Sequence, residues 1–301
     1  MEEAIKKLKK MKAKRIFLQF PEGLTLKIQR IVKDLEGNGF EVVTCMERCF
    51  GACDIRENEA KALGCDVIFH IGHERFIETK LPVVYWEYFI DEDAIHTLEK
   101  ELGKLKGYKK IGLVTSIQFV KMVPDIKYFL EKNGKEALAY KSLQYPGQVL
   151  GCNLDAAKKI ESKVDCFLCI SAGDFYAAGI VLMTEKPVFV LDLEKKEIRS
   201  LDEFKRKTQK IIAWNKDRLK DVKRVGLLIS WKQGQFKSNF FDTKRELEKA
   251  GKEVYVLAFD EILPEKMEGL KLDILINFGC PRIGIDDLSK YRLPMLNAED
   301  I

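Results

Sequence analysis

The sequence has 301 residues, 46% of them hydrophobic and 33% charged, with a formal net charge of +5. That length suggests two or three domains with ample apolar material for their cores. No apolar run approaches the ~18 residues of a membrane-spanning helix. The mild lysine excess has no block of basic residues interleaved with aromatics, so it predicts no direct nucleic-acid binding and no membrane association, while favouring docking on an acidic or RNA-bound partner.

In chain order, Met1–Lys14 reads as a lysine-rich amphipathic helix. It lacks the apolar core and cleavage site of a signal peptide, which predicts a cytoplasmic, reducing location. Arg15–Phe20 is a basic residue followed by a short apolar run, the pattern of a buried parallel strand. An amphipathic helix follows and closes at Leu35-Glu-Gly-Asn-Gly39, with glycine as the expected C-terminal cap. Further strands are expected at Phe40–Val43, at Asp66–Gly72 and at Pro82–Tyr85. The pattern then recurs. Lys110–Ser116, Leu130-Glu-Lys-Asn-Gly134, Glu136–Tyr140, Asp165–Ser171 and Pro187–Asp192 form a second copy. Arg224–Ser230, Leu247-Glu-Lys-Ala-Gly251, Glu253–Leu257, Asp273–Gly279 and Pro294–Leu296 form a third. Strand–helix–strand alternation at this spacing implies right-handed crossovers. The fold class is therefore α/β, with three repeated Rossmann-like domains, each with a small four-stranded parallel sheet. Lysine-rich polar stretches at Lys104–Lys109 and Asp217–Lys223 put the domains at 1–106, 107–220 and 221–301.

Of the eight cysteines, three follow carboxyl strand ends: Cys53 in Phe50-Gly-Ala-Cys-Asp54 after strand two of the first copy, Cys152 in Leu150-Gly-Cys-Asn153 in the matching loop of the second, and Cys280 in Phe278-Gly-Cys-Pro-Arg282 directly after strand three of the third. Ligands of open parallel sheets gather beyond the carboxyl ends of the strands, so these three thiols are candidates for one site. Cys166 and Cys169, three residues apart inside an apolar strand, point to opposite faces and read as core. Cys65, just before a strand, reads the same way. Cys45-x-x-x-Cys49-x-x-x-Cys53 is a local rival that could itself hold a cluster. It departs by one residue from the Cys-x-x-x-Cys-x-x-Cys of ordinary radical S-adenosylmethionine enzymes. Zinc is a further alternative and usually needs a fourth ligand. His70 reads as a buried strand residue, His73 as a strand-end residue able to face a cleft, and His96 as a surface helix residue. Three thiolates without a clear fourth ligand suit a 4Fe-4S cluster with one open iron.

Several segments together resemble the archaeal diphthamide synthesis enzymes, the 2-(3-amino-3-carboxypropyl)histidine synthases. They are Gln19-Phe-Pro-Glu-Gly-Leu24, Phe50-Gly-Ala-Cys-Asp54, Leu150-Gly-Cys-Asn153, Gly173-Asp174-Phe175, Gly234-Gln235 and Gly279-Cys-Pro-Arg-Ile-Gly-Ile-Asp-Asp287. Phe50 stands where that family more often has tyrosine. The resemblance spans essentially the whole chain. It implies three similar domains around a central 4Fe-4S cluster held by Cys53, Cys152 and Cys280, the catalytic centre of a noncanonical radical enzyme. It implies transfer of the 3-amino-3-carboxypropyl group of S-adenosylmethionine to C2 of a histidine in translation elongation factor 2, the first step of diphthamide biosynthesis. It further implies a homodimer and an electron donor.

For S-adenosylmethionine binding, the candidates lie in strand-end loops. Pro21, Glu22 and Gly23 could open a helix N-terminus or form a simple strand-to-helix turn. Gly173 and Asp174 could meet the ribose or the amino group, and Gln235 follows the third copy's first strand. Arg282 could pair with the methionine carboxylate or tune the cluster, or could instead bridge to Asp286 or Asp287. A quinolinate-synthase-like 4Fe-4S dehydratase and a non-enzymatic Fe–S redox protein remain as rival readings.

Overall fold

The three Leu-Glu-x-x-Gly motifs close helices by one device. Phe40 N donates to Leu35 O (3.4 Å), Lys135 N to Leu130 O (3.1 Å) and Lys252 N to Leu247 O (3.1 Å). The glycine before each donor has φ of 90°, 75° and 82° at Gly39, Gly134 and Gly251. This is the reversal that satisfies the last helical carbonyls and that only glycine adopts without strain. The computed structural model describes all 301 residues. They divide into two compact units, Met1–Phe89 with Lys232–Gln235, and Ile90–Trp231 with Phe236–Ile301.

The first unit runs α1 (Glu2–Lys10), β1 (Arg15–Gln19), α2 (Thr25–Glu36), β2 (Glu41–Thr44), α3 (Glu57–Ala62), β3 (Val67–Ile71) and β4 (Val83–Trp86). Its sheet is all parallel in the order β2-β1-β3-β4. Both faces are covered. Ile16 and Leu18 of β1 pack with Leu8 of α1 and with Ile28, Ile31 and Leu35 of α2. Phe17 packs the other way, with Ile68, Cys45, Cys65 and Ala60 of α3.

The second unit holds two more sheets. The first is built from α4 (Ala94–Glu101), β5 (Lys110–Thr115), α5 (Val123–Lys132), β6 (Glu136–Leu138), α6 (Asp155–Lys158), β7 (Cys166–Ser171), α7 (Phe175–Met183), β8 (Val188–Asp192) and β9 (Glu197–Ser200). After α8 (Asp202–Asp221) the second is built from β10 (Arg224–Ser230), α9 (Phe240–Lys249), β11 (Glu253–Phe259), β12 (Ile274–Asn277), α10 (Ile283–Asp286) and β13 (Met295–Asn297). The orders are β6-β5-β7-β8-β9 and β11-β10-β12-β13. The first four strands of each copy thus share one order, second–first–third–fourth.

The repeated aspartate has a physical role in all three copies. Asp66 Oδ2 accepts from Lys14 N and Arg15 N (2.8 and 3.3 Å). Asp165 Oδ2 accepts from Lys109 N and Lys110 N (2.9 and 2.7 Å). Asp273 Oδ2 accepts from Arg224 N at 2.8 Å while its other oxygen pairs with the Arg224 guanidinium. Each carboxylate fixes the start of the first strand from the start of the third. A basic residue at or just before that start also pairs across to the second strand, as Arg15–Glu41 (2.7 Å), Lys110–Glu136 (3.7 Å) and Lys223–Glu253 (2.9 Å).

Two features differ from the expected plan. The second sheet has five strands rather than four, because β9 folds back antiparallel on β8. Asp192 Oδ1 builds the turn by accepting from Glu194 N and Lys195 N (3.1 and 3.0 Å), and Lys196 takes φ 57°. The charged Leu193–Lys196 stretch contains no glycine or asparagine to announce that turn. The lysine-rich stretch at Asp217–Lys223 is the last helical turn of the 20-residue α8 and its link to β10.

Candidate active site and its cysteines

In the first unit, Cys53 lies in the irregular loop between β2 and α3, with its neighbours tightly held. Gln19, the last residue of β1, donates from Nε2 to Asp54 O at 2.5 Å, and its Oε1 accepts from Arg56 N at 3.4 Å. Asp54 is 4% exposed and forms an ion pair with Lys232, whose side chain is equally buried. The Lys232 ammonium also lies 5.5 Å from the Phe50 ring centroid. Gly234 N donates to Cys53 O at 3.0 Å, and a Cβ on Gly234 would sit 2.5 Å from Cys53 Cα, so only glycine fits there. Gln235 reaches Cys53 Sγ with its amide Nε2 at 3.6 Å. Within the same loop, Arg48 pairs with Glu22 at 3.0 Å. Pro21, Glu22 and Gly23 form the strand-to-helix turn: Leu24 N donates to Pro21 O at 2.9 Å and the chain then enters α2.

In the second unit, Cys152 and Cys280 lie in loops that touch. A Cβ on Gly151 would meet the Phe175 ring at 2.8 Å and Arg282 Cγ at 3.1 Å. The Arg282 guanidinium stacks on Phe175, 4.4 Å from the ring centroid. Arg282 is only 4% exposed, and its Nη2 donates to Asp286 at 2.6 Å. Its Nε and Nη1 are buried with no partner. Burial disfavours its charge and lowers its pKa, against the pull of Asp286. The Cys280 loop hangs on two asparagines at neighbouring strand ends. Asn277 Nδ2 donates to Cys280 O and to Asn297 Oδ1, both at 2.8 Å, and Asn297 Nδ2 donates to Pro281 O at 3.0 Å. Gly173 has φ 87° at the turn into α7. Asp174 beside it is ion-paired with Arg199, which also holds the buried Asp192 at 3.0 Å.

Cys166 and Cys169 divide between opposite faces of their sheet, as the core reading expects. Cys166 packs in one core of the second sheet and Cys169 in the opposite one, and burial raises both thiols to about 12. Cys45 and Cys65 lie in the core of the first sheet. Cys49 is buried and pushed up to about 12, chiefly by desolvation. His70 is fully buried, with its Nε2 2.9 Å from His73 Nδ1. Desolvation holds both imidazoles below their usual range, His73 at about 4. His96 is exposed on α4. The sequence pattern missed the supporting residues Gln19, Asp54, Lys232, Asn277 and Asn297. The one available signal was that Gln19, Asn277 and Asn297 are polar residues at the carboxyl ends of apolar strands.

The family described as "Putative diphthamide synthesis protein" matches residues 20–301. The chain belongs to the diphthamide synthesis family. A 2-(3-amino-3-carboxypropyl)histidine synthase of Pyrococcus horikoshii is 31% identical over 309 residues, covering 99% of this chain and 88% of the relative. A protein of the same name from Methanocaldococcus jannaschii is 28% identical over 317 residues, covering 98% and 85%. The crystal structure of Dph2 from Pyrococcus horikoshii superposes with a TM-score of 0.89 at 30% identity, covering 99% of this chain and 88% of that one. A second crystal structure of that protein, with a 4Fe-4S cluster, gives 0.88 at 31% identity. Family membership favours the transferase reading over a dehydratase or a simple redox carrier.

Proposed function

We propose that this protein is a 2-(3-amino-3-carboxypropyl)histidine synthase. It transfers the 3-amino-3-carboxypropyl group of S-adenosylmethionine to C2 of a histidine in translation elongation factor 2, the first step of diphthamide biosynthesis. Cys53, Cys152 and Cys280 hold one 4Fe-4S cluster. The observation that carries the ligand assignment is accessibility. Of the eight thiols, Cys152 is exposed and Cys53 and Cys280 are half-buried, while the other five are buried. Each accessible thiol also lies in a loop after a strand end, where such ligands gather. The soft thiolate donor set fits an iron–sulfur group.

When bound, the cluster supplies one electron to the sulfonium, and its open iron offers a position for the substrate. The chain's own residues do the rest. Gln235 directs its amide at Cys53 Sγ, and hydrogen bonds to ligand sulfur raise a cluster's potential. The two unpartnered nitrogens of Arg282 leave charged N–H donors for the methionine carboxylate, with Nη2 already held by Asp286. Gly173 and Asp174 serve the ribose or amino end, and Asp174 does so in competition with Arg199. Pro21, Glu22 and Gly23 line the turn beside the Cys53 loop. Orientation decides which of the three C–S bonds breaks, since all adjoin the same positive sulfur.

The repeat domains 1–106, 107–220 and 221–301 are supported by the three sheets, which lie in that order along the chain. No helix is long and apolar enough to cross a membrane. The protein acts in the cytoplasm as a homodimer, with an electron donor and with elongation factor 2 as its protein substrate. The test is anaerobic reconstitution, dithionite reduction and incubation with S-adenosylmethionine, with and without the elongation factor. Methylthioadenosine together with a modified histidine is the expected result. Production of 5′-deoxyadenosine overturns the proposed cleavage.

A further inference from the structure

A second cluster of soft donors lies in the first unit, apart from the three accessible cysteines. Cys49, His70 and His73 each place one donor atom within 4.8 Å of the other two. They come from two separate stretches of chain. Cys49 is in the middle of the loop after β2, His70 is the penultimate residue of β3, and His73 follows that strand. The two imidazoles approach to 2.9 Å, Nε2 of His70 to Nδ1 of His73. The cluster is also short of polar partners. His70 Nδ1 is buried and bonds to nothing, and so is the hydroxyl of Tyr85, whose ring lies edge-on to His70 at 5.6 Å. Buried polar atoms are nearly always paired, so the cluster is an incompletely satisfied polar pocket, and the bare Nδ1 of His70 is free to take the ring's proton when Nε2 binds a metal.

We propose that Cys49, His70 and His73 form a binding site for a zinc ion, with water in the fourth position. Thiolate with two imidazoles is a zinc donor set, and three protein ligands plus water complete a tetrahedron. Two nitrogens on one tetrahedral zinc stand roughly 3.3 Å apart at ordinary bond lengths, so the rings separate by a few tenths of an ångström from their hydrogen-bonded spacing. On binding, the Cys49 thiol releases its proton. The proton shared by the two rings moves to the outer nitrogen of the ring that held it, and no other bond changes. The ion ties the centre of the irregular Cys45–Asp54 loop to the end of β3. The loop that carries Cys53, already held by Gly234 and Gln235, thereby gains a second anchor.

The site stands independently of the iron–sulfur assignment, and the experiment separates the two. Full-length protein, stripped of metal anaerobically, is titrated with Co²⁺ and read by its visible d–d bands and thiolate-to-cobalt charge transfer. Bound zinc is then counted after exchange with Zn²⁺. Wild type and a Cys53→Ala/Cys152→Ala/Cys280→Ala variant should each bind one equivalent with a tetrahedral spectrum, and zinc should raise the melting temperature of both. Cys49→Ser should lose the charge-transfer band. His73→Gln, at a partly buried position and checked for folding by circular dichroism, should weaken binding at least tenfold. Failure of folded wild type to bind one equivalent overturns the proposal. So does binding that is lost in the triple variant, or binding that is unchanged in His73→Gln.

Discussion

Arg282 carries two buried guanidinium nitrogens without partners, and a group in that state is poised for an anion. Removing it should cost about 1.5–3 kcal/mol of S-adenosylmethionine binding, the range for hydrogen bonds to charged groups. That is roughly a tenfold to hundredfold rise in Kd for Arg282→Ala by calorimetry on the reconstituted protein. Arg282→Lys should not rescue it, because a single ammonium cannot stack on Phe175, hold Asp286 and also reach the carboxylate. Binding at wild-type affinity removes Arg282 from the carboxylate role. The Asp54–Lys232 pair is a different kind of residue-scale feature. Both side chains are 4% exposed, so Lys232→Met breaks a buried ion pair and should destabilise the fold by about 3–5 kcal/mol in denaturant unfolding. The double variant Lys232→Met/Asp54→Leu should recover most of that loss. No recovery would mean that Lys232 acts through something other than charge pairing.

At the scale of the element, the Cys53 loop depends on close approach. Gly234→Ala brings a methyl carbon to 2.5 Å from Cys53 backbone, whereas the nearest atom to a methyl on Gly51 is Cys53 Sγ at 3.6 Å. Gly234→Ala should therefore lose about 1–3 kcal/mol, as overpacked sites do, and retain less iron after reconstitution. Gly51→Ala should be near wild type in both measurements. The strand-clamping aspartates predict a pH dependence. Asp165 is held below the ordinary carboxylate range chiefly by the backbone N–H of Lys110, and Asp273 chiefly by the Arg224 guanidinium. A depressed folded-state pKa adds stability that is fully present above the unfolded pKa, near 4, and is lost as pH falls through the folded one. Asp273→Asn should thus melt a few degrees below wild type at pH 7. The gap should hold down to about pH 5 and narrow below pH 4. A gap unchanged at pH 3 would assign the effect to packing.

Across the molecule, what the sequence reveals follows the range of the interaction. The twelve principal strands are visible because each copy repeats a basic residue, an apolar run, a glycine cap, an aspartate and a proline, and each of these acts on backbone nearby or in the adjacent strand. The hairpin strand β9 is hidden because Lys196 takes a left-handed conformation that lysine rarely signals. The three accessible cysteines are visible as strand-end residues. Their supports are not, since Lys232 meets Asp54 across 178 positions. The histidines are read as core or cleft residues one at a time, and only the fold brings them to Cys49. One measurement bears most directly on the proposed centre: iron and sulfide content, after anaerobic reconstitution, of a series in which each of the eight cysteines is changed singly to alanine. Loss at Cys53, Cys152 and Cys280, with retention at Cys45, Cys49, Cys65, Cys166 and Cys169 in folded protein, is the predicted result. Loss at Cys45 and Cys49 with retention at Cys152 and Cys280 would contradict it and place the cluster on the local cysteine run instead.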